Sequence, residues 1–186
     1  MTEREPVWYE LCASELLQPL GDRWLHVEAV GRRAGKVASE SLRPEDRPAL
    51  IAAAWLHDIG YAPQIALTGF HPLDGAQYLR AIGVDERVVA LVAHHSCARF
   101  EAQLRGLGRA LDEFQREQGA VADALIYADM VTGPRGQPLT VDKRLADIFE
   151  RYPEGSVVHT AISQAAGELR AAVLRTEIRL APRETS

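Results

Sequence analysis

Apolar residues recur along this chain at steps of three and four, with almost no alternation at steps of two, the pattern of amphipathic helices rather than strands. From Asp22 to residue 39, Val27, Val30, Ala34 and Val37 form one stripe, with Asp22 as its N-cap and His26 beside the stripe, facing inward. Pro44 to Asp58 opens on Pro-Glu-Asp, carries Leu50, Ile51, Ala54 and Trp55, and stops at Gly60, so His57 and Asp58 fall in its last turn. A further helix opens around Pro72 and runs through Ala76, Tyr78 and Leu79 to Gly83, with His71 at its N-terminal edge. The next starts at Asp85 and places Val88, Leu91, Val92 and His95 on one face. Residues 98–117 predict one charged amphipathic helix with Phe100, Leu104, Leu107, Leu111 and Phe114 as its apolar line. From Ala120 onward, Ala122, Leu125, Ile126 and Asp129 keep core-facing spacing, which puts a carboxylate where a hydrophobe belongs. Burying that carboxylate alone is costly, so it needs a partner. Gly133 to Gly136 reads as a loop, Thr140 to Arg151 as a short helix and Gly155 to about Leu180 as a long one. The chain is predicted to be all-α, a compact helical bundle.

Composition narrows this picture. At 186 residues and 47% hydrophobic, with no Pro/Gly/Ser-rich stretch, the chain predicts one domain over 1–186 whose motif-bearing core spans about 22–150, with N- and C-terminal helices packed on it. A formal charge of -5 offers no broad basic surface for nonspecific nucleic-acid binding and favours a small-molecule substrate. The start, Met-Thr-Glu-Arg-Glu-Pro, has no apolar signal core, and no window reaches the ~20 apolar residues of a membrane span. The expectation is a cytoplasmic protein without membrane association, its oligomeric state left open. Two cysteines, Cys12 and Cys97, are too few for a disulfide framework or a thiolate metal site, so a metal here must use imidazole and carboxylate.

Those groups are present as a spaced series: His26, His57-Asp58, His71, His94-His95 and Asp129. His26, His95 and Asp129 come from three helices and share core-facing phase with the His57-Asp58 turn. Neutral imidazoles and carboxylates together suit one or two divalent transition ions with open coordination positions, iron or manganese first, then cobalt, nickel or zinc. Adjacent helix residues point about 100° apart, so His95 turns inward and His94 falls behind the ligands or toward solvent. His159 has no partner in the pattern and reads as a surface or packing residue. Asp74, in a first helical turn, reads as a capping residue.

Leu56-His57-Asp58-Ile59-Gly60 resembles the signature of the HD superfamily of metal-dependent phosphohydrolases, with His26 and Asp129 as its outer ligands; the match covers about residues 22 to 150. His71-Pro72-Leu73-Asp74-Gly75-Ala76 and His95-Ser96 resemble the additional ligand segments of members that hold two metals. The resemblance implies that His26, His57, Asp58 and Asp129 hold one ion while Asp58, His71 and His95 hold the other, Asp58 bridging and acting as the catalytic carboxylate. Two such ions, about 3.5 to 4 Å apart, acidify water and clamp phosphate oxygens during in-line attack. Arg135, in the loop after Asp129, Arg144, and Arg99, one turn beyond His95, are the candidates to bind substrate phosphate through forked, permanently charged donors. Arginine makes up all of the 21 basic residues except Lys36 and Lys143, so position rather than residue type has to carry that assignment.

Departures narrow the substrate. No Glu-Asp pair follows the His-Asp, unlike the guanosine tetraphosphate hydrolases. His94-His95-Ser96-Cys97 lacks the glutamate and Gly-Tyr-Pro of cyclic di-GMP phosphodiesterases, and the lysine that often follows His-Asp-Ile-Gly is Tyr61 here. Ala128-Asp129 followed by Arg135 resembles the dinucleoside tetraphosphate hydrolases of the superfamily. The expected activity is hydrolysis of a nucleotide or other small phosphate ester or anhydride. The same ligand order also resembles HD-fold mixed-valent di-iron oxygenases that cleave C-C or C-P bonds, and a regulatory binding module is the third reading.

Overall fold

The apolar stripes read from the sequence, that of 98–117 excepted, lie on the inward faces of helices in the computed structural model, which describes residues 6–182. The charged N-terminal stretch that argued against a signal segment lies, through residue 5, outside the described residues. Ten α-helices and no strands appear among the described residues, the only bridge being Thr132 with Pro138. They are α1 (Pro6–Leu17), α2 (Asp22–Ser41), α3 (Arg47–Leu56), α4 (His71–Ala81), α5 (Glu86–His94), α6 (Arg99–Leu104), α7 (Gly108–Leu111), α8 (Ala120–Met130), α9 (Val141–Arg151) and α10 (Val157–Leu180).

Helix α3 is the centre of the bundle. Its residues Leu50, Ala53, Ala54 and Leu56 are fully buried, because α2, α1, α5 and α8 all pack against it. A second apolar cluster, including Met130, Leu145, Leu169 and Val173, joins α8, α9 and α10. The two clusters meet at the C-terminal end of α8. There the ends of α3, α5 and α8 and the start of α4 come together beside α2, bringing in five of the predicted ligands at helix termini and His26 from within α2.

Several boundaries differ from the sequence reading, each for a local reason. Asp22 is the first residue of α2 rather than its cap, since Gly21 precedes it and no side chain caps the helix. The stretch from Pro44 begins as a 3-10 turn, Pro44–Asp46, before α3 starts at Arg47. The helix expected to start at Gly155 starts at Val157, where the Ser156 hydroxyl accepts from the His159 amide. The single helix expected over 98–117 is corrected to two short ones, α6 and α7, with a break at Gly106, whose φ of 72° interrupts the run. Leu104, placed on the apolar line, is exposed, whereas Leu111 and Phe114 are buried. No helix among the described residues is long and apolar enough to cross a membrane.

Candidate metal centre

Six side chains converge where the helix termini meet. His26 projects from the second turn of α2, His57 and Asp58 follow α3, His71 is the first residue of α4, His95 follows α5, and Asp129 lies in the last turn of α8. Five of them are at least nine-tenths buried as whole residues, and His71 is partly exposed.

Backbone carbonyls fix three of the imidazoles. His57 Nδ1 donates to the Ala54 carbonyl at 2.8 Å, His95 Nδ1 to Val92 at 2.6 Å, and His26 Nδ1 to Gly133 at 3.1 Å. A carbonyl only accepts, so each Nδ1 carries the proton, and in the neutral ring each Nε2 presents its lone pair to the cluster. Nε2 of His26 and of His57 is buried without a hydrogen-bond partner, and His71 Nε2 and His95 Nε2 face each other at 3.2 Å. Such orphaned, converging lone pairs are what metal ligation satisfies. The residues present therefore fit a divalent ion.

Asp58 stands between two sets of imidazoles. Its Oδ2 lies 3.4 Å from His57 Nε2 and 4.0 Å from His26 Nε2, while its Oδ1 lies 3.2 Å from His71 Nε2 and 3.7 Å from His95 Nε2. Two triads whose ligand atoms lie close enough together to hold an ion result, His26-His57-Asp58 and Asp58-His71-His95, sharing one carboxylate. Burial pushes the Asp58 carboxyl up, but the neighbouring Arg23 guanidinium and His57 outweigh it and hold the group well below the usual carboxylate range. Burial pushes His71 down to about 4, so its ring is neutral at pH 7 and available as a ligand. Asp129 closes the first triad: its Oδ1 is 3.1 Å from His26 Nε2, and the Ser96 hydroxyl donates to its Oδ2. This is the partner that a core-facing carboxylate required.

His95 reaches the cluster by a route that helical phase alone does not predict. Helix α5 ends at His94, and His95–Cys97 form a tight turn in which Ser96 and Cys97 adopt φ of 48° and 59°. Left-handed backbone at a non-glycine residue costs on the order of 1 kcal/mol or more. The Ser96 bond to Asp129 helps hold that strain beside the ligands.

Arg23 and Tyr61 were missed as site residues in the sequence. Arg23 Nη1 lies 2.5 Å from Asp58 Oδ2, its guanidinium covers the Tyr61 ring at 4.0 Å, and Tyr61 stacks on His71 at 4.0 Å between centroids. The signal available was the position of Arg23 three residues before His26, on the same face of α2.

The other sequence candidates are dispersed. Arg144 is buried, with Nη2 3.9 Å from Asp129 Oδ1 and a buried Nε that has no partner. Arg135 is exposed and pairs with Asp22, and Arg99 forms a two-point ion pair with Glu168. His94, expected behind the ligands, donates from Nε2 to the Phe114 carbonyl at 2.8 Å and so anchors the segment after α7. Asp74, expected to cap, instead accepts from the amides of Leu67, Thr68 and Gly69 and from the Thr68 hydroxyl. It thereby ties down the loop that delivers His71. Asp74→Ala would leave these donors unpaired, so a loss of about 2–4 kcal/mol is expected in urea unfolding. Unchanged stability would show that the loop does not depend on this carboxylate.

Among known protein families, the HD domain matches residues 23–152 of the chain. No curated protein and no solved structure matches it.

Proposed function

Because the chain belongs to the HD domain family, we propose that it is a metal-dependent phosphohydrolase acting on a small phosphate ester or anhydride, a nucleotide foremost. In this reading His26, His57, Asp58 and Asp129 hold one divalent transition ion, and Asp58, His71 and His95 a second, iron or manganese ahead of cobalt, nickel and zinc. The observation that carries it is the pair of triads sharing Asp58. When bound, such ions supply Lewis acidity, which polarises phosphoryl oxygens and makes hydroxide accessible at neutral pH.

The protein's own groups complete the assignment. Asp58, the candidate catalytic carboxylate, keeps its charge in a buried setting and presents one oxygen to each triad. The carbonyls of Ala54, Val92 and Gly133 hold three rings in the ligating tautomer. Arg144, beside Asp129, and Arg23, beside Asp58, flank the cluster and offer guanidinium donors for phosphoryl oxygens. Arg135 and Arg99 are engaged elsewhere and have the weaker claim. Tyr61 covers the His71 ring and is itself partly exposed.

The test is phosphate release from a panel of nucleotides and sugar phosphates by the protein reconstituted with manganese or iron. Saturable release that a chelator abolishes and metal restores is expected. A mixed-valent iron EPR signal with no release from any member of the panel would replace this reading by the di-iron oxygenase.

A further inference from the structure

On the other side of the His94–Cys97 segment lies a cavity of about 570 Å³, large enough for a nucleotide-sized molecule, and none of the six candidate ligands lines it. Four arginines line it: Arg99, Arg116, Arg175 and Arg179. Of the carboxylates on its wall, Glu117 is bound to Arg87, which lies outside the cavity. The remaining two are shared: Glu168 between Arg99 and Arg116, Asp123 between Arg175 and Arg179. Four guanidinium groups thus share the wall with three carboxylates, one of which, Glu117, is turned to Arg87, itself also paired with Asp46.

The pairing is also incomplete in geometry. Arg99 and Arg175 are engaged at two points each. Arg116 only approaches Glu168, at 3.8 Å, beyond hydrogen-bond range. Arg179 gives Nη2 to Asp123, and its Nη1 is buried with no partner. At one edge of the same wall, Gly119 precedes α8 and supplies no side-chain cap, leaving the helix's first amides as further donors. A surplus of cationic donors with free N–H groups inside a concave, partly enclosed volume is complementary to an anion that offers several acceptor oxygens.

We propose that this cavity is a second ligand site, separate from the metal centre, for a small molecule bearing a diphosphate or triphosphate group. The assignment stands on the cavity's own charges and does not depend on the hydrolase reading. It is tested by calorimetric titration of sodium pyrophosphate into the full-length, EDTA-treated protein, where no metal can recruit the anion. Saturable one-to-one binding is expected, weakened about tenfold in Arg116→Gln and more in the R116Q/R179Q pair, a tenfold loss corresponding to about 1.4 kcal/mol. Arg32→Gln, which removes an equal charge from an exposed pair with Glu28, should leave the affinity unchanged. Absence of binding at about 10 mM pyrophosphate, well above a millimolar Kd, would overturn the proposal. So would equal losses in R32Q and R116Q, or the same affinity for sulfate at matched ionic strength. Arg116 is exposed and makes no hydrogen bond, so its replacement leaves the fold intact and the result interpretable.

Discussion

Asp58→Ala is expected to lower phosphate release at least about 10³-fold, roughly 4 kcal/mol of transition-state stabilisation, while the far-ultraviolet signature of the bundle is retained. The size follows from position. Each oxygen of this carboxylate faces a different triad, so one substitution strips an anionic ligand from both. Four imidazoles and Arg23 would then surround an empty, uncharged spot, which disfavours any dication there. Asp58→Asn keeps the shape and removes the charge, and the same loss in that variant identifies charge as the cause. Arg23 is partly exposed, so solvent can take up its guanidinium and global unfolding is not the expected outcome. Wild-type rates in either variant would detach the activity from this cluster.

The largest effect on stability is expected at Gly60. The turn after Asp58 passes so close to the start of α4 that a Cβ at Gly60 would lie 2.0 Å from the His71 carbonyl oxygen and 2.7 Å from the Gly75 amide nitrogen. Both neighbours are backbone and cannot rotate away. Gly60→Ala must therefore separate the turn from α4, at a cost of roughly 3 kcal/mol or more. For a domain of this length that lowers the melting temperature by about 6–12 °C. It also displaces His71, so metal at the second triad falls with stability. Gly35→Ala is the contrast: in the middle of α2 with no atom within 4 Å of the added carbon, it should stabilise by about 0.5–1 kcal/mol. Equal melting temperatures for the two variants would refute the close approach.

What the sequence made legible follows the range of the forces involved. Helical periodicity is local, so α2 to α5 and α8 to α10 were readable to within a few residues, as were the core-facing phases of His26 and Asp129. The break at Gly106 is also local: the Leu104-Arg105-Gly106-Leu107-Gly108 run carries two glycines, a turn signal that the long apolar line through Phe114 concealed. The turn at Ser96 and Cys97 is different. Neither residue favours left-handed backbone, and what holds Ser96 there is a bond to Asp129, 33 positions away. No window of sequence contains that information. Arginines were legible as a class but not as individuals. Arg23, Arg144, Arg99 and Arg135 look alike in sequence, yet one touches Asp58, one approaches Asp129, one belongs to the second cavity and one pairs with Asp22 at the surface. Their partners are set by tertiary packing, which spacing does not encode.

Asp58 is proposed to join two metal-binding triads. This bridging role is tested most directly by the metal-to-protein ratio of the purified chain, measured by inductively coupled plasma mass spectrometry beside the His71→Ala variant. About two transition ions per chain are expected in the wild type and about one in the variant. A wild-type ratio that never exceeds one under saturating metal, or a ratio that His71→Ala leaves unchanged, would contradict the bridging role.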